Sequence, residues 1–463
     1  MTLISSISGI RGTIGGASGD NLTPIEAVSF AAAYGTWLKS SRNKSHYRVV
    51  IGRDARPSGP MIQELVMQTL VGQGIHVVNL GLSTTPTVEM AVVMEHADGG
   101  IILTASHNPK EWNALKLLDH HGEFLDAKAG EAILNHVKAN DSVFAAVDDL
   151  GKITKNDAYI DLHIEAILAL DLVDFKAIEK AKFKVVVDGV NSSGGIAVPR
   201  LLDALGVQTI PLFCEPNGQF PHNPEPLKAH LTDLSETVVK HRADFGIAVD
   251  PDVDRLAFVC EDGEMFGEEY TLVACADYLL SHTPGATVSN MSSSRALHDV
   301  TVKHGQTYSA SAVGEVNVVN MMKATNAVIG GEGNGGVILP ELHYGRDALA
   351  GIALFLSLLA KNPMKVSDLR KSYPDYFMSK QKVELTPDLD IDALLAQMSE
   401  RYKHEKVTTI DGVKITWSNR WVHMRKSNTE PIIRIYTEAP STHEAIELGG
   451  RFILELSELA KQV

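Results

Sequence analysis

Asp250, Asp252 and Asp254 alternate with Pro251 and Val253 and form a dense set of hard oxygen ligands. In an extended segment the three carboxylates share one side, and a loop can wrap them round one ion. Three such charges repel strongly without a cation. With no His or Cys among them they suit Mg2+, which keeps positions for water or phosphate. An EF-hand calcium loop is excluded, because Arg255 stands where that loop needs glycine and Leu256-Ala257-Phe258-Val259 reads as a strand. A solvated acidic turn is the bland alternative. Far upstream, Thr104-Ala105-Ser106-His107-Asn108-Pro109 follows the apolar run Gly100-Ile101-Ile102-Leu103. A strand that stops there presents the Ser106 hydroxyl at a sheet edge, where ligands of α/β folds collect. Serine alone is a weak nucleophile and needs a base, a metal or prior phosphorylation. Taken in isolation this stretch is a Ser/Asn-rich turn.

Two further stretches carry binding chemistry. Gly330-Gly331-Glu332-Gly333-Asn334-Gly335-Gly336 holds one acid and one amide among glycines. Glu332 repels phosphate, whereas a carboxylate and an amide suit sugar hydroxyls. Arg425-Lys426-Ser427-Asn428-Thr429-Glu430-Pro431 joins two short strands with an arginine, hydroxyls and free backbone N–H groups, the donors a phosphate dianion takes. A flexible turn and a charged hairpin tip are the plain readings of these two. Arg11 and Lys116 complete the candidates.

Strands and helices alternate along most of the chain. Thr23-Pro24-Ile25-Glu26 has capping-box spacing and predicts a helix to about Ser40. Strands at 48–52, 75–80 and 100–104 with intervening helices predict βαβ units and a largely parallel sheet. The strand, polar loop, helix theme returns at Phe183–Gly189 and again at Asp244–Val249, and Asp347–Ala360 is a long apolar helix. It hints at an internal repeat in the fold, with no repeat visible in the sequence. Beyond Ser372 short strands at 407–410, 413–417, 421–424 and 432–437 between two helices predict a small antiparallel α+β domain.

At 463 residues the chain exceeds one core and should divide into about three or four domains. Its net charge of −15 argues against a nucleic-acid or anionic-membrane partner. Cys214, Cys260 and Cys275 have no metal-site spacing and read as free thiols of a reducing compartment. No signal peptide and no apolar run of the ~20 residues needed to span a bilayer is apparent, so a cytoplasmic protein is expected.

In combination, these stretches resemble the α-D-phosphohexomutase family, which includes phosphoglucomutase, phosphomannomutase and phosphoglucosamine mutase. Thr-Ala-Ser-His-Asn-Pro with Asn113 and Lys116 beyond it, Asp-Pro-Asp-Val-Asp-Arg, Gly-Glu-Gly-Asn-Gly-Gly and Arg-x-Ser-Asn-Thr-Glu-Pro occur in the family's order, across essentially the whole chain. The resemblance implies three similar mixed-sheet α/β domains and a C-terminal α+β domain round one cleft. They are expected at 1–153 with the phosphoserine loop, 154–255 with the Mg2+ loop, 256–369 with the sugar loop and 370–463 with the phosphate loop. It implies an isomerase that interconverts hexose or hexosamine 1- and 6-phosphates through phosphoserine and a bisphosphorylated sugar, with Mg2+ and a sugar bisphosphate activator. Glucosamine phosphate is the favoured substrate, with glucose and mannose phosphates as alternatives. Carried over residue by residue, Ser106 resembles the phosphorylated serine, and Asp250, Asp252 and Asp254 the Mg2+ ligands, with the phosphate on Ser106 as a further one. Glu332 and Asn334 match sugar contacts, and Arg425, Ser427, Asn428 and Thr429 the substrate-phosphate loop. Arg11, His107, Lys116 and Arg255 match active-site positions, with His107 or Lys116 for proton transfer. Gly336 departs from the pattern, since many members have histidine there, and Ala114 stands where glycine is usual. The rival readings are an aspartate-nucleophile phosphohydrolase built on Asp250-x-Asp252 and a silent sugar-phosphate binding protein. The oligomeric state is left open.

Overall fold

Runs such as Val185-Val186-Val187 and Phe245–Val249 are apolar at every position, as strands covered by helices on both faces must be. The computed structural model describes residues 2–6, 9–42, 44–384, 390–426 and 432–460. Its first three sheets repeat one plan. The first contains, in spatial order, Trp112–Leu118, Gly99–Leu103, Tyr47–Arg53 and Ile75–Leu82. The second is Leu256–Cys260, Phe245–Val249, Lys184–Asp188 and Gln208–Leu212. The third is Gly336–Ile338, Ile329–Glu332, Thr287–Asn290 and Tyr308–Ser311. In each set the last three strands run parallel and the first is an antiparallel return. The turn from third parallel strand to return strand is therefore the same place three times over. It is occupied by the Ser106 loop, by Asp250–Arg255 and by Gly333–Gly335.

The first sheet is extended by Ile4–Ser6 and Gly9–Thr13 at one edge and Ile153–Lys155 at the other. Leu256–Cys260 pairs with Phe245–Val249, so the boundary expected at 255 falls between two hydrogen-bonded strands of one sheet. The second and third sheets also share a core. Phe355, on the helix Ala348–Lys361, stacks on Phe258 at 3.9 Å between ring centroids and meets Phe245 and Phe266 edge-on. The C-terminal sheet is antiparallel throughout, in the order Phe377–Glu384, Ile432–Ala439, Trp421–Lys426, Val413–Thr416 and Lys406–Thr408. Helices Ile391–Arg401 and Thr442–Ala460 supply Leu394, Met398, Phe452 and Leu456 to its core. Phe377–Glu384 buries few of its side chains, which is why no hydrophobic pattern announced it. Among the described residues no helix is long and apolar enough to cross a membrane.

The first helix, Pro24–Arg42, begins as the capping box predicts. Glu26 Oε2 accepts from Thr23 N at 3.0 Å and Oε1 from Gly19 N at 2.9 Å, with the Ser18 and Thr23 hydroxyls also donating to it. Burial opposes the charge, but these four donors prevail and hold the carboxyl at about 2, below the usual 4.5. A carboxyl depressed on folding stabilises the protein fully above its unfolded pKa and loses that contribution as the pH falls toward the folded one. Glu26→Gln should cost about 1 kcal/mol at pH 7. In urea unfolding, the gap to the parent protein should narrow as the pH is lowered from 5 to 3.

Candidate active site

Ser106 sits at the start of the first of the three equivalent turns, with φ at 49°, a left-handed conformation that costs a non-glycine residue energy and must be held by its surroundings. Two residues from the end of the strand Tyr47–Arg53 hold it. Arg56 is fully buried and donates to four carbonyl oxygens of the loop, those of Ser106, Asn108 (2.7 Å), Pro109 and Trp112 (3.0 Å). Its Nε pairs with Asp54 Oδ2 at 2.9 Å, and the same oxygen accepts from the Thr104 hydroxyl, whose Oγ1 in turn accepts from Ser106 N at 3.0 Å. Every donor of this guanidinium is thus spent on loop geometry, a use for which its planar fork is suited.

The second turn meets the first. Ser106 Oγ donates to Asp250 Oδ2 at 2.7 Å, across 144 residues of chain. Asp250 Oδ1 accepts from the backbone N–H groups of Asp254 and Arg255, both at 3.1 Å. Asp252 Oδ2 accepts from Lys116 Nζ at 2.7 Å and Thr85 Oγ1 at 2.6 Å. Asp254 Oδ2 accepts from Arg346 Nη2 at 2.7 Å and lies 3.6 Å from Lys116. All three carboxylates are buried, with ligand oxygens within 4.8 Å of one another. Burial and the neighbouring Asp254 and Asp252 push Asp250 well above the carboxylate range. Burial acts the same way on Asp254, but Arg346, Lys116 and Arg255 outweigh it and hold that carboxyl well below. Two oxygens, Asp252 Oδ1 and Asp254 Oδ1, are buried without any hydrogen-bond partner. Unpartnered anionic oxygens are costly in a protein interior, and a hard divalent cation held by this all-oxygen donor set satisfies them. The triplet fits a metal ion.

The third turn is tied to the second by Arg346, which lies just before the helix Ala348–Lys361. Its Nη1 donates to Glu332 Oε2 at 2.8 Å, and its Nε lies 3.0 Å from Glu315 Oε2. Glu332 Oε1 accepts from Asn290 Nδ2 at 2.7 Å and Gly314 N at 3.2 Å, so both its oxygens are engaged. Asn334 Oδ1 accepts from Gly336 N at 3.2 Å. A Cβ at Gly336 would lie 2.3 Å from Arg346 Cδ, so the arginine stem occupies the room of a side chain there.

His107 Nδ1 is 3.3 Å from Ser106 Oγ. Burial, with the nearby Arg255, lowers its pKa to about 3, so the imidazole is neutral at working pH and has a lone pair to offer. Lys116 is driven the other way. Burial would lower it, yet Asp252 and Asp254 raise it and keep the ammonium charged. Arg255 pairs with Glu225 at 3.1 Å. Arg11, on the strand Gly9–Thr13, is held below its ordinary range by burial and by Arg434. Arg434 faces Arg425 across the C-terminal sheet. Among the described residues, Arg11, Arg425 and Arg434 have no carboxylate partner, unlike Arg255. Ser427, Asn428 and Thr429 lie outside the described residues.

Asp54, Arg56, Thr85 and Arg346 are the side chains that pattern reading passed over. Their signal was positional: Arg53-Asp54-Ala55-Arg56 ends a parallel strand, and Arg346 precedes the helix cap Asp347. Charged residues at strand ends of an α/β sheet face the ligand side.

Comparison with known proteins covers the whole chain. Sequence models of the phosphoglucomutase/phosphomannomutase domains match in order, alpha/beta/alpha domain I at residues 4–144, domain II at 159–263, domain III at 267–376 and the C-terminal domain at 380–453. A phosphoglucomutase/phosphomannomutase of Thermococcus kodakarensis is 36% identical over 453 residues, covering 96% of this chain and 98% of its own. A probable phosphoglucosamine mutase of Methanopyrus kandleri is 32% identical over 449 residues, with 96% of each chain covered. The crystal structure of a phosphoglucomutase/phosphomannomutase family protein from Burkholderia thailandensis superposes with a TM-score of 0.84 at 25% identity, over all of this chain and 98% of that one.

Arg56→Lys keeps a cation beside Asp54 but removes the fork that binds four carbonyls. Turnover should fall at least about tenfold while far-UV circular dichroism stays that of the parent, since small misplacement of a reacting group costs this much or more.

Proposed function

This chain belongs to the phosphoglucomutase/phosphomannomutase family, and we propose that it moves a phosphoryl group between the C1 and C6 oxygens of a hexose or hexosamine phosphate, with Ser106 as the carrier. The observation that carries this reading is the 2.7 Å contact between the Ser106 hydroxyl and Asp250, which joins a nucleophile and a buried acidic triplet from two separate sheets. Phosphoserine gives its PO3 group to the free hydroxyl of a sugar monophosphate: the P–Oγ bond breaks as the new P–O bond forms, and the proton lost by that hydroxyl ends on Oγ. The resulting bisphosphate turns round and returns its other phosphoryl group to Ser106. A sugar bisphosphate also primes unphosphorylated enzyme by the same step.

Each side chain has a part in this cycle. Asp250, Asp252 and Asp254 would hold Mg2+, with the phosphate on Ser106 as a further ligand. The bound ion supplies charge neutralisation at the transferring group. Lys116, fixed in its charged form, adds positive charge beside the phosphoryl site. His107, neutral and 3.3 Å from Oγ, receives and returns the proton of the serine hydroxyl. Glu332 and Asn334 offer remaining lone pairs and an amide to sugar hydroxyls, while Arg255 lines the site from the acidic turn. Arg11 and Arg425, without carboxylate partners among the described residues, attract the phosphate at the far end of the substrate, joined by Ser427, Asn428 and Thr429. Because Arg425 sits on the C-terminal sheet while Ser106 and Arg11 sit on the first, movement between those domains would let one site accept the sugar in either orientation.

Incubation with labelled glucose 1,6-bisphosphate should place phosphate on Ser106 as an acid-stable, alkali-labile ester. Ser106→Ala should lose the label and on the order of 10³–10⁶-fold in turnover on glucose, mannose and glucosamine 1-phosphates alike. Label on Asp250 as an acyl phosphate, or a fully active Ser106→Ala protein, overturns the proposal. Chelation with EDTA should abolish turnover and added Mg2+ restore it, as monitored by formation of the 6-phosphate.

A further inference from the structure

Away from the cleft, a second buried set of ligand-type side chains lies where three domains meet. His163 comes from the helix Tyr159–Leu168, and His343 and Asp347 flank the turn that leads into Ala348–Lys361. Their ligand atoms lie within 4.8 Å of one another. His163 Nε2 is 2.9 Å and His343 Nε2 3.3 Å from one oxygen, Asp347 Oδ2. The other oxygen, Oδ1, caps the following helix by accepting from Leu349 N and Ala350 N, which fixes the carboxylate and leaves Oδ2 to the two rings.

The outer ring nitrogens are held as well. His163 Nδ1 is 3.0 Å from Thr87 Oγ1, and His343 Nδ1 faces Glu89 Oε2 at 3.3 Å. Thr87 and Glu89 both belong to the helix Thr85–Met94 of the first domain. Glu89 has a side chain 1% exposed, and neither of its oxygens makes a hydrogen bond. Two imidazoles converging through Nε2, each with an oxygen within 3.3 Å of Nδ1, is the orientation that metal-bound histidines receive from their outer partners. Separations of 2.9 and 3.3 Å also approach the edge of about 3.3 Å between ligand atoms of a tetrahedron with bonds of about 2.0–2.1 Å. A hydrogen-bonded His–Asp–His chain alone uses one carboxylate oxygen for both rings.

We propose that His163 Nε2, His343 Nε2 and Asp347 Oδ2 form a Zn2+ site that pins the first three domains together, distinct from the acidic triplet. Two imidazoles and one carboxylate are a donor set for a borderline ion, whereas the all-oxygen triplet favours a hard one. His343, one-tenth exposed, marks the route by which the ion enters and water takes the fourth position.

The test uses tag-free, full-length protein stripped with a chelator, reloaded with Zn2+ alone and passed through a desalting column before metal analysis. One zinc per chain should remain in the parent protein and in Asp250→Asn, and the unfolding temperature should rise on reloading. His163→Gln and His343→Gln should each lose the retained zinc and the rise in unfolding temperature. Thr87→Val, which removes an outer partner and no ligand, should weaken zinc binding ten- to hundredfold. Should the histidine variants fail to fold, Co2+ loaded into the parent protein decides, since four-coordinate nitrogen and oxygen ligation gives intense visible absorption. Zinc retained equally in both histidine variants, lost only in Asp250→Asn, or absent from the desalted parent protein overturns the site, as does Co2+ with only the faint bands of six-coordinate water. None of these readouts uses turnover, so the outcome is independent of the proposed reaction.

Discussion

Burial of three carboxylates within 4.8 Å of one another is the constraint to which the surrounding structure answers. Like charges at that spacing cannot all ionise in a protein interior without compensation. The compensation comes from every side: Lys116 from the first sheet, Arg346 from the third, two backbone N–H groups of the acidic turn itself, and the Ser106 hydroxyl. Those partners belong to different domains, so the charge balance is also what brings the domains into register. The two oxygens left without hydrogen-bond partners are those that a hard cation would satisfy. In the proposed reaction the groups that stabilise the carboxylates would also face the transferring phosphate.

The repeated sheet explains why three distant motifs converge. Each lies on the turn between the third parallel strand and its antiparallel return, so one architectural position is used for serine, for the acidic triplet and for the acid–amide pair. The motifs themselves were legible because they break pattern: a serine after a buried strand, alternating aspartates, a run of glycines. The repeat is also written further along the hairpins, in Gly122-Glu123-Phe124 and Gly263-Glu264-Met265. Asp119 N bonds Glu123 O and Cys260 N bonds Glu264 O, both at 2.8 Å, round glycines with φ of 74° and 86°. Two shared residues, glycine and glutamate, are too few to stand out until pairing shows that they are the same turn.

What escaped the sequence has a common cause. Phe377–Glu384 and Gly9–Thr13 are short of large apolar side chains, and hydrophobic periodicity is blind to them. The edge of the second domain was misjudged because an acidic turn looks like a linker, whereas here it joins two paired strands. Arg56 and Arg346 reach partners 14 to 92 residues away, and apart from their place at a strand end or before a helix cap nothing local distinguishes a buried arginine from a solvated one.

Arg346 also gives the departure at Gly336 a physical meaning. A side chain at 336 and the arginine stem compete for the same volume, with 2.3 Å between the would-be Cβ and Arg346 Cδ. Glycine there is the condition for a guanidinium that reaches Asp254 with one nitrogen and Glu332 with another. The exchange is not neutral in chemistry. A histidine at that position can take up and release a proton, whereas a guanidinium stays charged and only donates. In the proposed reaction proton transfer at the serine would therefore fall to a group elsewhere, and His107, neutral and 3.3 Å from Ser106 Oγ, is placed for it. In return the acidic and sugar turns are locked to each other by a cation that no change of pH near neutrality can release.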